Sequence, residues 1–273
     1  MAHIIAVALP KGGVGKTTTA VNLAASLAVA EQRTLLIDMD TFGASGLSLG
    51  FTGGAIKAGL FEVFNFITGF AAAIHRTELT YLDFVPSNVQ TLQMEERIWR
   101  LADNRSMLKN LLRSVVPQYD YIILDTPPVL RGLSTNALTA ADSVLLPVRG
   151  GHFSLDAVDK LFRYMEWIRE AANRDLAIEG ILMTMHEANT RVTDITMREL
   201  QAKYGRHLFK TVIPKATVLS EASFFGKPAV LYDVKSRGSA AYLQLAREII
   251  ARRQQQARPS LHSIIREQVQ RQA

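Results

Sequence analysis

The chain contains no cysteine in its 273 residues. That excludes a disulfide framework, a thiolate-held metal and a redox thiol. No apolar run approaches the roughly 18 to 20 residues that a membrane-spanning helix needs. The N-terminus passes directly into the apolar string IIAVAL at 4–9, without a basic-then-apolar leader, so a cytoplasmic location is expected. Aromatic residues make up only 8% of the chain and are not interleaved with basic ones as in a base-stacking surface. The histidines (His3, His75, His152, His186, His207 and His262) lack metal-ligand spacing, so no structural metal is expected. Nor is there a Ser-His-Asp or paired-carboxylate pattern of the hydrolase kind.

The composition, 48% hydrophobic and 21% charged, suits one large α/β domain with a substantial core. The formal net charge is +6, and its placement is uneven. From Lys235 onward there are eight basic residues against two acidic ones, so the C-terminal portion holds the entire excess. Such a basic face suits a polyanion, either DNA or an anionic membrane, or is simply a solvated helix end.

The most informative stretch is PKGGVGKTT at 10–18, which follows the apolar run and precedes an alanine-rich segment of helical periodicity. It reads as strand, phosphate loop and helix. The backbone of Lys11, Gly12, Gly13, Val14 and Gly15 can turn its N–H groups around a polyphosphate, and the helix beginning near Lys16, Thr17 and Thr18 presents its positive dipole end to the same anion. Lys16 is expected to reach the β- and γ-phosphates, and Thr17 to hold Mg²⁺. The pattern G-x-x-x-x-G-K-[ST] is met except at its first glycine, replaced by Pro10, and Lys11 adds a second lysine to the loop.

Periodicity predicts a helix over 19–30 and a strand over 34–37, a βαβ unit that implies a parallel sheet. Asp38 and Asp40 then lie at the carboxyl end of the second strand, where ligands of open α/β sheets bind. A glycine-rich loop, a short helix over 60–67, a strand over 81–85 and one or two helices over 91–116 follow. The run 121–124 reads as a central strand ending in Asp125, placed to orient a magnesium shell through water. Further on, strands are expected over 143–148, 178–183 and 207–213, and helices over 155–171, 192–204 and 239–256. The expected fold is a single doubly wound, mostly parallel sheet flanked by helices. Phe61, Phe64, Phe66 and Phe70 are expected to pack beneath the loop, and Met183 and Met185 in the core or a pocket wall.

The string KGGVGKTT, with LLIDMD at 35–40, YDYIILDTPP at 119–128, the segment 136–148 and KTVIPKATVLSEASFFGKPAVLYDVKSRGSAAYLQLA at 210–246, resembles the ParA/Soj partition ATPases. These are phosphate-loop proteins with a deviant Walker A motif, related to MinD and the nitrogenase iron protein. The absence of cysteine sets aside the last, whose iron–sulfur cluster needs thiolate ligands. The resemblance implies a slow, partner-stimulated, Mg²⁺-dependent ATPase that forms a homodimer with ATP sandwiched at the interface. Lys11 would reach across to the partner's phosphates, as an arginine finger does in trans. Asp40 would position the hydrolytic water, Asp38 would support the magnesium shell with Asp125, and Pro214 would lie near the adenine.

The resemblance further implies non-specific DNA binding in the ATP state, nucleoid association and a cargo-bound, ParB-like adaptor protein. Arg191, Lys215, Lys227, Lys235, Arg237, Arg252 and Arg253 are the candidate DNA-binding residues. Three departures stand out. Thr41-Phe42 replaces the family's Pro-Gln, and Asn189 and Val218 occupy positions where close relatives carry DNA-binding arginines. They keep open an orphan ATPase that spaces a protein cargo. A MinD-like membrane anchor would rest on Leu261, Ile264, Ile265 and Val269 in the tail, flanked by arginines; a membrane is not the expected partner. The expected organisation is an ATPase domain over 1–257 and a basic amphipathic tail over 258–273.

Overall fold

The computed structural model describes residues 2–52, 56–151, 154–188 and 190–257. The tail and Asn189 therefore lie outside the described residues. Seven strands form one sheet: β1 (His3–Val7), β2 (Thr34–Asp38), β3 (His75–Arg76), β4 (Leu82–Val85), β5 (Tyr121–Asp125), β6 (Ser143–Arg149) and β7 (Ala177–Thr184). Their order is β3-β4-β2-β5-β1-β6-β7, all parallel except the edge strand β3. The expected doubly wound sheet is thus observed.

Side-chain alternation explains why helices cover both faces. Successive residues of a strand point to opposite sides. Ile4, Ala6, Leu35, Ile37, Ile122 and Leu124 accordingly join one core layer, with α3 (Leu60–Phe64), α5 (Met107–Leu112), α6 (Leu133–Ala140) and α7 (Ser154–Ala171). Ile5, Val7, Leu36, Tyr121 and Ile123 join the other, beneath α1 (Lys16–Val29) and α11 (Arg237–Ala257). Apolar residues on both sides of β1, β2 and β5 force this sandwich, since either face left bare would expose a continuous hydrophobic row. The alanines of α1 let it lie close to the sheet while Tyr242, Leu245 and Ile249 of α11 pack beside it.

The remaining helices are α2 (Ala44–Leu47), α4 (Leu92–Leu101), α8 (Arg191–Tyr204), α9 (Thr217–Phe224) and α10 (Ala229–Tyr232). One expected strand is corrected. Residues 207–213 run beside β7 through single bridges, Ile181 with Leu208 and His186 with Pro214, and form no continuous ladder. The amides of Phe209 and Ile213 donate to the Ile181 and Met183 carbonyls, but the Thr211 amide between them, with that of Lys210, donates instead to the Glu248 carboxylate at 3.0 Å. Phe66 is also corrected: Phe61, Phe64 and Phe70 are buried as expected, but Phe66 is exposed. Met183 is buried, and Met185 lines a cleft.

Candidate functional site

The connections leaving the adjacent strands β1 and β5 diverge, β1 leading past β5 to β2 on one side and β5 leading past β1 to β6 on the other. A crevice outside the carboxyl ends of the strands at such a switch point is where open α/β sheets bind ligands. The loop 10–15 occupies it. Gly13 and Gly15 have φ of 69° and 85°, a region that side chains with a Cβ avoid, so the turn depends on glycine at both. A Cβ on Gly12 or Gly13 would meet nothing within 4 Å, so these residues face open space that an anion can approach closely. Thr184 of β7 donates to the Val14 carbonyl at 2.8 Å and pins the loop from two strands away.

Gly15 caps α1 without a side-chain hydrogen bond. The first N–H groups of the helix, at Lys16, Thr17 and Thr18, therefore have no intrahelical acceptor and are directed toward the loop. The Lys16 ammonium is nearly buried and donates to the Lys11 carbonyl at 2.9 Å. Burial pulls its pKa below the ordinary value, against Asp125 and Asp40, which favour the charged form. Lys11 points its own ammonium to the Ser154 hydroxyl, 3.3 Å away at the start of α7. The two lysines of one loop thus serve different neighbourhoods.

Opposite the loop, Asp38 and Asp125 are register partners on adjacent strands, and both are fully buried. Asp38 accepts from the N–H groups of Asp40 at 3.0 Å and Ser45 at 3.1 Å. Asp125 Oδ2 accepts from the Ser45 hydroxyl at 2.8 Å, whereas its Oδ1 is buried without a hydrogen-bond partner. Burial, followed by the Asp125 charge, pushes Asp38 well above the ordinary carboxylate range. Burial likewise raises Asp125 to about 6, although the Thr17 and Ser45 hydroxyls favour its charged form. Two buried carboxylates with one orphan oxygen, beside the Thr17 hydroxyl, suit a hydrated divalent cation, which would neutralise both. Asp40 is less buried and accepts from the Phe42 amide at 3.1 Å. Phe42 itself is 87% exposed, and Thr41 donates to Glu95 at 2.9 Å. The Thr41-Phe42 departure therefore presents an apolar ring to solvent beside the site.

Beside the loop opens a cleft of about 460 Å³, lined by Gly15, Thr18, Arg149, Met185, Pro214 and Tyr242 among others. Its volume lies within the range of small-molecule sites, roughly 300 to 1,000 Å³. Pro214 is thus brought next to the phosphate loop. Sequence reasoning missed Arg149, Thr184 and Ser45. Arg149 and Thr184 end strands β6 and β7, so the rule that ligands gather at carboxyl strand ends was a usable signal. Ser45 carried none, because its role depends on two strands meeting.

Of the seven basic candidates, Lys215, Lys227, Lys235 and Arg237 are exposed around α9, α10 and the start of α11. Arg191 begins α8, and the bridge between His186 and Pro214 brings the segment before it beside Lys215. Lys215 and Lys227 pair with Glu187 and Glu78 at 3.1 and 3.6 Å. Arg252 and Arg253 lie apart from this group. Arg252 donates to the carbonyls of Glu179 and Leu208 and stacks on Phe209, and Arg253 donates to the Asp120 carbonyl and lies over Tyr121. Both are spent on packing at the amino end of the sheet, across the molecule from the loop. Val218 is half-buried and packs against Gly238 at the start of α11.

A phosphate loop between the central strand and its helix, facing buried carboxylates on two neighbouring strands, defines a phosphate-loop nucleotide-binding protein with a deviant Walker A motif. The AAA domain family matches residues 2–178. The chain is 40% identical to the chromosome partitioning protein ParA of Myxococcus xanthus, over 92% of this chain and 88% of that protein. It is 38% identical to the sporulation initiation inhibitor protein Soj of Bacillus subtilis, over 92% and 99%. Among solved structures, cobyrinic acid a,c-diamide synthase of Mycobacterium smegmatis, with a bound ATP analogue and magnesium, superposes with a TM-score of 0.76 at 27% identity, covering 90% of this chain and 93% of that one. The chain belongs to the ParA/Soj family of partition ATPases.

Proposed function

We propose that this protein is a Mg²⁺-dependent ATPase switch that dimerises around ATP, binds duplex DNA without sequence preference in that state, and segregates or positions a cargo. The observation that carries the reading is the loop with two divergent lysines, Lys16 directed inward and Lys11 toward α7, opposite the Asp38 and Asp125 pair. Phosphoryl transfer asks a protein mainly to hold phosphates and water in line and to neutralise developing charge. In this reading the N–H groups of 12–18 and the Lys16 ammonium hold the phosphates, and the cleft beside Pro214 holds the base. Asp40 orients the attacking water. Lys11 supplies positive charge to the partner's phosphates in the dimer. Mg²⁺ would be held by Thr17 and, through water, by Asp38 and Asp125, and when bound would neutralise charge on the phosphate oxygens.

Lys215, Lys227, Lys235, Arg237 and Arg191 would contact DNA phosphates, a mode that needs clustered cations and no base-reading element. A cargo-bound adaptor would stimulate hydrolysis and release the DNA, placing the protein on the nucleoid. Residues 1–257 would form the ATPase domain, followed by a separate tail. Relatives named as chromosome partitioning proteins support the chromosome as the cargo.

The test is binding to unrelated duplex DNA with ADP and with ATP across a salt series, using the wild type and Asp40→Ala. ATP-dependent binding that weakens steeply with salt, and is prolonged in Asp40→Ala, is the expected result, because cations that replace counterions give that slope. Dimerisation on ATP with no DNA binding in either state would refute the DNA reading.

A further inference from the structure

On the proposed reading, DNA binding must depend on nucleotide, yet the basic edge and the carboxylate pair lie on different elements. Between them runs α2. Ser45 in this helix is fully buried and spans both carboxylates, its N–H to Asp38 and its hydroxyl to Asp125. Three residues on, the Ser48 hydroxyl donates to the Ala44 carbonyl at 2.9 Å and lies 2.7 Å from the Ser223 hydroxyl of α9. With its single proton committed to Ala44, Ser48 accepts and Ser223 donates. Two residues further, Gly50 at φ 78° meets Gly226 at φ 65° backbone to backbone, and a Cβ on Gly226 would stand 2.8 Å from the Gly50 Cα. A Cβ on Gly50 would in turn stand 3.1 Å from the Gly226 carbonyl oxygen.

The far side of the contact is the surface that carries the charge. After Gly226 come Lys227 and α10, and before it Phe224 is 85% exposed while the Phe225 ring stacks on Tyr232 at 5.6 Å. A second strut enters from the phosphate-loop helix: Asn22 donates to the Thr18 carbonyl at 2.8 Å and accepts from the Ala229 amide at 2.8 Å. The segment 223–229 is therefore tied to the carboxylates at one end and to the first turn of α1 at the other.

We propose that nucleotide state reaches the basic edge within a single subunit, through a latch formed by Ser45, Ser48, Ser223 and the Gly50–Gly226 contact. The proposal rests on the ATPase and DNA reading above and assigns its regulation. A hydrated cation at the orphan Asp125 Oδ1 would share both carboxylates with Ser45 and, by neutralising them, weaken both Ser45 hydrogen bonds. Any resulting shift of α2 passes to α9 through the Ser48–Ser223 hydrogen bond and the backbone contact of Gly50 with Gly226. The competing account is that ATP acts only by joining two basic edges in a dimer, raising avidity without altering either.

The experiment compares the full-length wild type with Ser48→Ala and with Gly226→Ala. Amide hydrogen exchange over 217–232 is measured without nucleotide, with Mg-ADP and with Mg plus a non-hydrolysable ATP analogue. Calorimetry, light scattering and duplex-DNA titration are run on the same samples. Wild-type exchange in this segment is expected to change about fivefold or more on binding the analogue. Both variants should still bind the analogue and dimerise, lose that change, and lose about fivefold or more of the preference of DNA for the ATP state over the ADP state. Variants that keep the wild-type exchange change and DNA preference would overturn the latch and leave avidity as the cause. A wild type that binds the analogue without any change over 217–232 would overturn it as well. Absence of nucleotide binding in the wild type would instead sink the ATPase reading, and the relay with it.

Discussion

Replacing Asp125 by Asn tests the carboxylate pair most directly, because the nucleotide-free protein should become more stable while its response to magnesium diminishes. Asp38 and Asp125 are fully buried register partners on adjacent strands. Strands about 4.8 Å apart and an effective dielectric near 20 put the repulsion between two such charges at about 3 kcal/mol. Burial, which lifts Asp125 from 3.8 to about 6, adds to the cost of its charge, each pKa unit being worth about 1.4 kcal/mol. A carboxylate raised on folding destabilises the folded state when ionised. The penalty is absent below pH 3.8, the unfolded value, grows as pH rises, and is complete above about 6. Asn keeps an acceptor for the Ser45 hydroxyl, so little is lost in exchange. At pH 7.5 without metal, Asp125→Asn should be about 1 to 3 kcal/mol more stable, a rise of roughly 2 to 10 °C in Tm. Adding Mg²⁺ to the ADP-bound protein should raise the wild-type Tm further and raise that of the variant by less. A variant with unchanged or lower Tm without metal, or with an undiminished magnesium response, would refute the reading of this pair.

Three further outcomes follow from single contacts. Lys11→Ala should bind nucleotide with near wild-type affinity yet fail to dimerise and lose about a thousandfold in hydrolysis, as removal of a charge supplied in trans does; single-turnover assays with light scattering check both. Gly180→Ala would place a Cβ 2.5 Å from the Phe209 ring, which is itself held beneath Arg252, and should cost about 1 to 3 kcal/mol in urea denaturation. Burial pushes Glu248 up, but the amides of Lys210 and Thr211, the Thr211 hydroxyl and Arg252 outweigh it and hold the carboxyl below its ordinary value. Its contribution is then present above the unfolded value of 4.5 and lost as pH falls through the lower folded value. Glu248→Gln should therefore cost about 1 to 3 kcal/mol at pH 7 and show a shallower loss of stability below pH 4.5 than the wild type.

Much of this protein was legible residue by residue. The phosphate loop is a local pattern, strand then glycines then helix, and each part depends on neighbours within a few positions. Asp125 was legible because a continuous apolar run must be a strand buried on both faces, whose end is then a ligand-binding edge. The segment 207–213 misled for the converse reason. Its apolar residues do face the sheet, but the Thr211 amide that would continue the ladder between Phe209 and Ile213 is taken by Glu248, 37 residues away.

Charge was the least legible property. Arg252 and Arg253 add to the formal excess like any other basic residues, and only packing shows that carbonyls and aromatic rings consume them. Composition counts charges without regard to which are exposed. By itself, then, the sequence determined what short-range chemistry can specify: the loop, the helix that follows it, the alternation that requires helices on both faces, and the family. The tertiary structure decided what needs strand order and long-range contact. It made Asp38 and Asp125 neighbours, gave Ser45 two carboxylates to bridge, and pressed Gly50 against Gly226 across 176 positions of chain. Strand order sets these encounters, and it is fixed by the packing of the whole sheet rather than by any local pattern.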